Sequence, residues 1–172
     1  MAYITTTDTP VGPFTVIATD DDTVLASGWT GDRDRLLGYI APGLRPDALL
    51  TRDGAAPTAR AVTAYHEGDL SAPDATAVRH AAGPFLTSAW GALRKIAPGD
   101  VISYTELAAR AGSPAAIRAA GSACARNPCA LFVPCHRIRR GDGTLGGFGY
   151  GLDVKRWLLG HEHAAGYSAA LL

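Results

Sequence analysis

The stretch Ser103-Tyr104-Thr105-Glu106-Leu107-Ala108-Ala109-Arg110-Ala111-Gly112-Ser113-Pro114-Ala115-Ala116-Ile117-Arg118 decides how the second half of the chain folds. Ser103 is a good helix N-cap with Glu106 three residues on, a capping box that opens a helix over Tyr104–Ala111. Gly112-Ser113-Pro114 breaks it, and a second helix follows over Ala115–Arg126. Helix, tight glycine-containing turn, helix is the helix-turn-helix signature. In the second helix Ile117, Ala120 and Cys124 recur at i, i+3 and i+7 and are expected to face inward. Arg118, Ser122 and Ala125 then face outward among Ala119, Gly121 and Ala123. A helix so poor in bulk can approach another surface closely, with one long cation projecting from it. That surface raises contact of Arg118 with nucleic acid to a reading level with a merely solvated charge, and both stay open on these residues alone.

Upstream, Phe85, Ala89, Leu93 and Ile96 fall at i, i+4, i+8 and i+11, the pattern of an amphipathic helix over Phe85–Ile96 that Ala97-Pro98-Gly99-Asp100 stops. Downstream, the apolar run Ala130-Leu131-Phe132-Val133 reads as a buried strand leading into Pro134-Cys135-His136-Arg137. A glycine-rich loop, Gly141–Gly151, carries Phe148 and Tyr150. A last helix over Asp153–Glu162 turns Val154, Trp157 and Leu158 inward, and the tail from Ala164 is expected to fray. In the first half, Tyr3–Thr7 and Phe14–Ala18 flank a Pro/Gly turn and read as a β-hairpin, with a third strand over Val24–Trp29. Helices are expected over Asp32–Ile40 and Thr58–Gly68, a loop over Ala41–Pro57, and a linking segment over Ser71–Gly83.

The chain has 172 residues, 47% hydrophobic and 19% charged, enough for a packed core without metals or cross-links. The formal net charge is zero, which by itself argues against a polyanionic partner, but the average conceals a division. Residues 1–83 hold six arginines and no lysine against eleven acids, a net of −5, whereas residues 84–172 hold ten basic groups against five acids, a net of +5. The second half suits a polyanion while the first faces away. No secretory signal and no membrane-length apolar run is visible, so the cytosol is the expected compartment. The three cysteines, Cys124, Cys129 and Cys135, are expected to be free thiols.

Cys135 beside His136 joins a nucleophile to a base. Adjacent residues of an extended chain point to opposite sides, so direct cooperation needs a turn there or a bridging water. A base also needs an orienting acid, for which Glu162 and Asp153 are the downstream candidates. Cys124, Cys129, Cys135 and His136 offer four zinc ligands but no Cys-x2-Cys pair. Catalysis, metal ligation and plain burial stay open on these residues alone.

Five motifs in order narrow the choice: Ile102-Ser103-Tyr104-Thr105-Glu106-Leu107-Ala108, Arg118-Ala119-Ala120-Gly121, Arg126-Asn127-Pro128, Pro134-Cys135-His136-Arg137 and Leu158-Leu159-Gly160-His161-Glu162. Together they closely resemble the O6-alkylguanine-DNA alkyltransferases from about Phe85 to His163; over residues 1–83 the likeness is general. The resemblance implies an α+β fold: a small N-terminal β-sheet module with a helix, ribonuclease H-like, over residues 1–83, and a mostly helical module with a helix-turn-helix of winged-helix type over residues 84–172. It implies repair of O6-alkylguanine, and of O4-alkylthymine, in double-stranded DNA bound through the minor groove by a monomer. The damaged base is flipped out and its alkyl group passes irreversibly to Cys135 in a single turnover, with no cofactor and no metal.

By the same resemblance, His136 deprotonates Cys135 through a water, Glu162 orients His136, Asn127 ties the helix end to the cysteine loop, and Tyr104 donates a proton to the base and displaces a phosphate. Arg118 fills the vacated stack, and Ala119, Gly121, Ser122 and Ala125 sit against the groove. Val133, Ile138, Phe148, Gly149 and Tyr150 form the substrate pocket. Phe148 stands where many members have tyrosine, and Ala130 replaces a proline of some relatives, so the range of alkyl groups is where this chain is expected to differ. Two other readings are a lesion-binding or helix-turn-helix regulatory protein that does not repair, and a thiol hydrolase.

Overall fold

The computed structural model describes residues 1–168; the last four residues of the tail expected to fray lie outside it. The chain is a mixed α+β protein whose described residues form two compact units, residues 1–81 with 128–132, and residues 82–127 with those from Val133 onward.

In the first unit, β1 (Ala2–Thr9) and β2 (Gly12–Thr19) pair antiparallel through the turn at Gly12, whose φ of +107° is one a side chain rarely adopts. β3 (Val24–Gly28) continues the antiparallel sheet. α1 (Arg33–Tyr39) is capped by Asp32, whose carboxylate accepts from the N–H groups of Asp34 and Arg35. The stretch expected to be loop holds β4 (Leu49–Thr51), parallel to β1, which gives the sheet order β3-β2-β1-β4. α2 (Pro57–His66) follows. Strand alternation sends Ile17 of β2 towards Leu36 of α1, and Phe14, of opposite parity, towards His66 of α2. Both faces of the sheet are therefore covered. Burying Tyr3, Phe14, Ile17, Leu36 and Tyr65 completely stabilises the unit by about 1.5–3 kcal/mol per large apolar side chain. His66 is a satisfied core histidine, accepting from Trp29 Nε1 at 3.2 Å and donating through Nδ1 to the Val62 carbonyl at 2.7 Å.

Pro128–Phe132 belongs to this unit too, and here the expected strand fails. Only Cys129 pairs, with Ser27 of β3, while residues 130–132 form a buried turn with Leu131 at φ +72°. Pro128 and Pro134 bracket the run and supply no ladder donor, and the left-handed residue between them turns the chain. The run is apolar because it is buried, not because it is extended.

In the second unit, α3 (Pro84–Leu93) ends before Ile96, which is nevertheless buried. The turn after it contains Gly99 at φ +90°, where a Cβ would lie 3.0 Å from the Glu162 carbonyl oxygen. A two-residue strand, β5 (Ile102–Ser103), leads into α4 (Tyr104–Arg110). Ser103 Oγ accepts from the Glu106 N–H at 3.1 Å, but the Glu106 carboxylate bonds Arg110 at 2.9 Å, so the structure shows the Ser103 half of the expected box.

α5 (Ile117–Ala125) starts two residues later than expected, after the turn at Gly112, and its inward stripe differs. Ala120 and Ala123 are the buried positions, Cys124 is half-buried, and Ile117 is 45% exposed. Trp90 covers this helix by donating its Nε1–H to the Ala123 carbonyl at 2.9 Å, which draws the small residues inward in place of the large one. β6 (Ile138–Arg139) pairs parallel with β5. α6 (Leu152–His161) turns Trp157 and Leu158 inward as expected, while Val154, expected with them, is only half-buried. Ala164 is buried as well, so the start of the tail packs. Among the described residues no helix is long and apolar enough to cross a membrane.

Candidate active site

Cys135, His136 and Arg137 form one 3-10 turn between Pro134 and β6. The turn replaces the strand alternation that would have sent neighbouring side chains to opposite sides. All three side chains are buried, His136 completely. Glu162, at the C-cap of α6, is buried against them, and its Oε1 lies 2.7 Å from His136 Nε2. An ionised carboxylate only accepts, so Nε2 carries the hydrogen and Nδ1 keeps the lone pair. Among the described residues His136 Nδ1 has no hydrogen-bond partner. Arg137 grips the same carboxylate, Nε to Oε2 at 3.0 Å and Nη2 to Oε1 at 2.8 Å, while its Nη1 donates to the Ile96 carbonyl at 2.6 Å. This fork and the imidazole satisfy both oxygens of a buried acid. Asp153, the other acid considered, is exposed and pairs with Arg156.

The electrostatics follow from this enclosure. Burial pushes the Glu162 carboxyl up, but His136 and Arg137 outweigh it and hold the group well below the usual carboxylate range. Burial pulls His136 below its ordinary value against the attraction of Glu162, so the neutral, proton-accepting ring prevails. Burial pushes the Cys135 thiol up; a hydrogen bond from the Asn127 side chain and the charge of Lys155 act the other way. Tyr104 is pushed up to about 12, chiefly by burial and then by the thiols Cys124 and Cys135, so its hydroxyl stays a proton donor at neutral pH.

Cys135 opens into a cavity of about 400 Å³ whose wall includes Tyr104, Phe148 and Gly149, with Ile117, Gly121, Cys124 and Ala125 of α5 and Arg140 and Gly147 beside them. Ile117, misread from the sequence as core, is on this wall because it shares a helix face with Gly121, Cys124 and Ala125. A larger cavity, about 770 Å³, lies beside it between the glycine-rich loop and α6, but its lining holds no thiol. The smaller one is therefore the cavity in which thiol chemistry is available. Gly146, at φ +71°, brings the loop backbone against Tyr104, where a Cβ would lie 2.7 Å from the phenol oxygen.

The structure thus brings together Cys135, His136 and Glu162, with Asn127 nearby: its buried amide donates to the Val133 carbonyl at 2.7 Å. Tyr104, Phe148 and Gly149 join them as cavity wall. Val133, Ile138 and Tyr150 are not among the lining residues; Ile138 is fully buried and Tyr150 packs edge-on to Phe148. Arg118, Ser122 and Ala125 are exposed on α5 and Ala119 and Gly121 partly so. Among the described residues no group of three or more His, Cys, Asp or Glu side chains is arranged to hold a metal ion; Cys129 instead meets the Val24 carbonyl at 3.7 Å in the first unit.

Two residues escaped the sequence reading. Arg137 read from the sequence as a cation neighbouring the thiol, whereas it grips Glu162. Lys155 is fully buried and donates through Nζ to the carbonyls of Leu145 at 2.6 Å and Gly147 at 3.3 Å. Burial pulls its pKa down against the pull of Cys135 and Cys124. The available signal was position: Lys155 stands three and four residues before Leu158 and Leu159, on the stripe of α6 that faces inward.

Comparison with known proteins fits this geometry. The family model described as 6-O-methylguanine DNA methyltransferase, DNA binding domain, matches residues 84–164. The methylated-DNA–protein-cysteine methyltransferase of Salmonella typhimurium is 35% identical over 156 residues, covering 90% of this chain and 91% of that protein. The crystal structure of Mycobacterium tuberculosis O6-methylguanine methyltransferase superposes with a TM-score of 0.75 at 29% identity, covering 95% of this chain and 93% of the other. Mycobacterium tuberculosis OGT in complex with DNA gives a TM-score of 0.76 at 29% identity, covering 94% of each chain.

Proposed function

The chain belongs to the methylated-DNA–protein-cysteine methyltransferase family, and from that premise we propose that its DNA repair activity, alkyl transfer from DNA to a cysteine, is carried by Cys135. The observation that carries this assignment is the cavity itself: of the two thiols that line it, Cys135 is the one that adjoins the His136–Glu162–Arg137 network.

In this reading an O6-alkylguanine leaves the DNA stack, at a cost of a few kcal/mol, and enters the cavity. The Nδ1 lone pair of His136 takes the Cys135 proton through one water, and Glu162 stabilises the imidazolium that results. The asymmetric bonding of the ring supports this, since Nε2 is committed to Glu162 and Nδ1 is not. The sulfur attacks the alkyl carbon, the carbon–O6 bond breaks, and its electron pair stays on guanine. Tyr104 supplies the proton that neutralises the developing charge, for which its raised pKa keeps the hydroxyl protonated. Water does not cleave the thioether product, so each molecule acts once. O4-alkylthymine, which presents the same oxygen–carbon bond, is a second substrate.

α5 meets the minor groove of double-stranded DNA, with Arg118 filling the emptied stack and Tyr104 pressing on the flanking phosphate. The exposure of Arg118, Ser122 and Ala125 and the scarcity of bulk at Ala119 and Gly121 support this. The Gly149 main chain on the cavity wall reads the base, and Val133, whose carbonyl is held by Asn127, supports the wall from behind with Ile138 and Tyr150. We read the protein as a monomer with a module boundary at residues 83–84, where the family match begins, the first module being ribonuclease H-like and the second winged-helix.

The test is mass spectrometry after incubation with duplex DNA containing O6-methylguanine. One methyl group per protein on the Cys135 peptide is expected, and none in Cys135→Ser. Repeated turnover would favour the hydrolase reading, and binding without transfer the sensor reading.

A further inference from the structure

The reaction delivers an alkyl group into a cavity that holds two thiols. Cys124 lines it from α5, and Cys135 lines it from the turn. Cys124 shares its helix face with Ile117, Gly121 and Ala125, so its sulfur belongs to the wall of the reaction chamber and not to the core. The field of Lys155 acts on both thiols.

The two are chemically unequal. The Asn127 amide reaches Cys135 and lowers the cost of its thiolate, and the imidazole of His136 stands beside it in the chain. Among the described residues no such hydrogen-bond donor acts on Cys124, whose thiol burial pushes far up. A protonated thiol does not displace guanine from a methyl or ethyl group, so Cys124 does not compete for ordinary lesions. It does react with an electrophile strong enough to be opened by a neutral thiol.

Resting on the alkyl-transfer reading above, we infer that Cys124 traps two-carbon alkyl groups carrying a leaving group X, such as halide, on their far carbon. Cys135 first displaces guanine, giving Cys135–S–CH2–CH2–X. The Cys135 sulfur then expels X⁻ and closes a three-membered sulfonium ring. The Cys124 sulfur opens that ring by attacking one of its carbons and loses its proton to solvent. The product is a Cys135–S–CH2–CH2–S–Cys124 bridge, with HX as the balance. Both sulfurs line one cavity, so Cys124 meets the ring without diffusing to it, and the only DNA nucleophile with the same access is the displaced base. The tether also relaxes the geometry, since it spans sulfurs about 4 Å apart, roughly twice the length of a disulfide bond. The chamber thereby disarms an adduct that would otherwise alkylate the DNA bound to it.

The experiment uses the full chain, duplexes carrying O6-methylguanine or freshly prepared O6-(2-chloroethyl)guanine, and peptide mapping under reducing conditions. The methylated duplex should place one methyl on Cys135; its failure would overturn the underlying reading. The chloroethylated duplex should give Cys124 and Cys135 peptides joined by a bridge that survives reduction. Cys124→Ser and Cys124→Ala should abolish the bridge and give hydroxyethyl-Cys135 or protein joined to DNA. Products are counted only among molecules alkylated on Cys135, so a slower variant remains informative. Hydroxyethyl-Cys135 with Cys124 unmodified in the wild-type chain, or the same product distribution in wild type and variants, overturns the trap and leaves methyl transfer standing.

Discussion

The two sides of the reaction chamber are held in opposite ways. Behind the thiol, His136, Arg137 and Glu162 form a closed set of charge-assisted hydrogen bonds in which the buried acid is doubly satisfied. In front of it, the glycine-rich loop carries Gly147, Phe148 and Gly149, and its link to α6 is a buried cation, Lys155, which meets carbonyl oxygens rather than a carboxylate. In the proposed mechanism the rear fixes one proton path. The front spends the desolvation of a cation on shaping a wall and on the field felt by the thiols. One region trades in stability, the other in reactivity.

Removing one partner from the rear should cost most. Glu162→Ala strands the buried Arg137 cation and frees His136 Nε2, and breaking such a buried set costs about 3–5 kcal/mol. Urea denaturation measures it; a loss below about 1 kcal/mol would erase the contrast. Lys155→Met should separate the two quantities. It removes a desolvated charge that no carboxylate repays, so stability should change by only about 1 kcal/mol in either direction. Alkyl transfer to Cys135, followed in single-turnover kinetics, should slow by roughly tenfold or more as the thiolate loses its cation. Equal losses in both assays would show Lys155 to be scaffold.

Gly146→Ala sharpens the picture of the front wall. Its left-handed backbone costs a side chain about 1–2 kcal/mol, and the new Cβ drives against the Tyr104 hydroxyl. Methyl transfer should fall while urea denaturation shows only that modest loss. The gentlest probe is pH. Because burial depresses His136, the neutral base should persist below the ordinary imidazole value of about 6.5, and transfer should be lost only at more acidic pH. The depressed Glu162 contributes stability that is fully present above about 4.3 and lost as pH falls through its lower folded value. A transfer profile breaking at or above the ordinary imidazole value would remove His136 from the base role.

Much of this was legible in the chain. The hairpin around Gly12, the Ser103 cap and the α3 and α6 faces announced themselves through local chemistry, and the Cys135–His136–Glu162 association through the family motifs. What stayed hidden depended on distant partners. β4 is three residues long and exists because it pairs with β1 more than forty positions away. The run at 130–133 imitates a strand because burial alone makes a run apolar. Ile117 looked like core until Trp90 was seen to occupy the other side of α5. Arg137 and Lys155 carry charge, and charge in a sequence reads as surface until a structure supplies the acceptors.

Gly99 offers nothing to chemistry: no nucleophile, no proton, no charge. Yet its missing side chain lets the turn after α3 press on the main chain of Glu162, while the Ile96 carbonyl beside it holds Arg137. In a saturation map of tolerated substitutions, this turn would therefore leave the footprint of an active-site residue, and a survey of loss-of-function alleles would find it among the reactive groups it never touches.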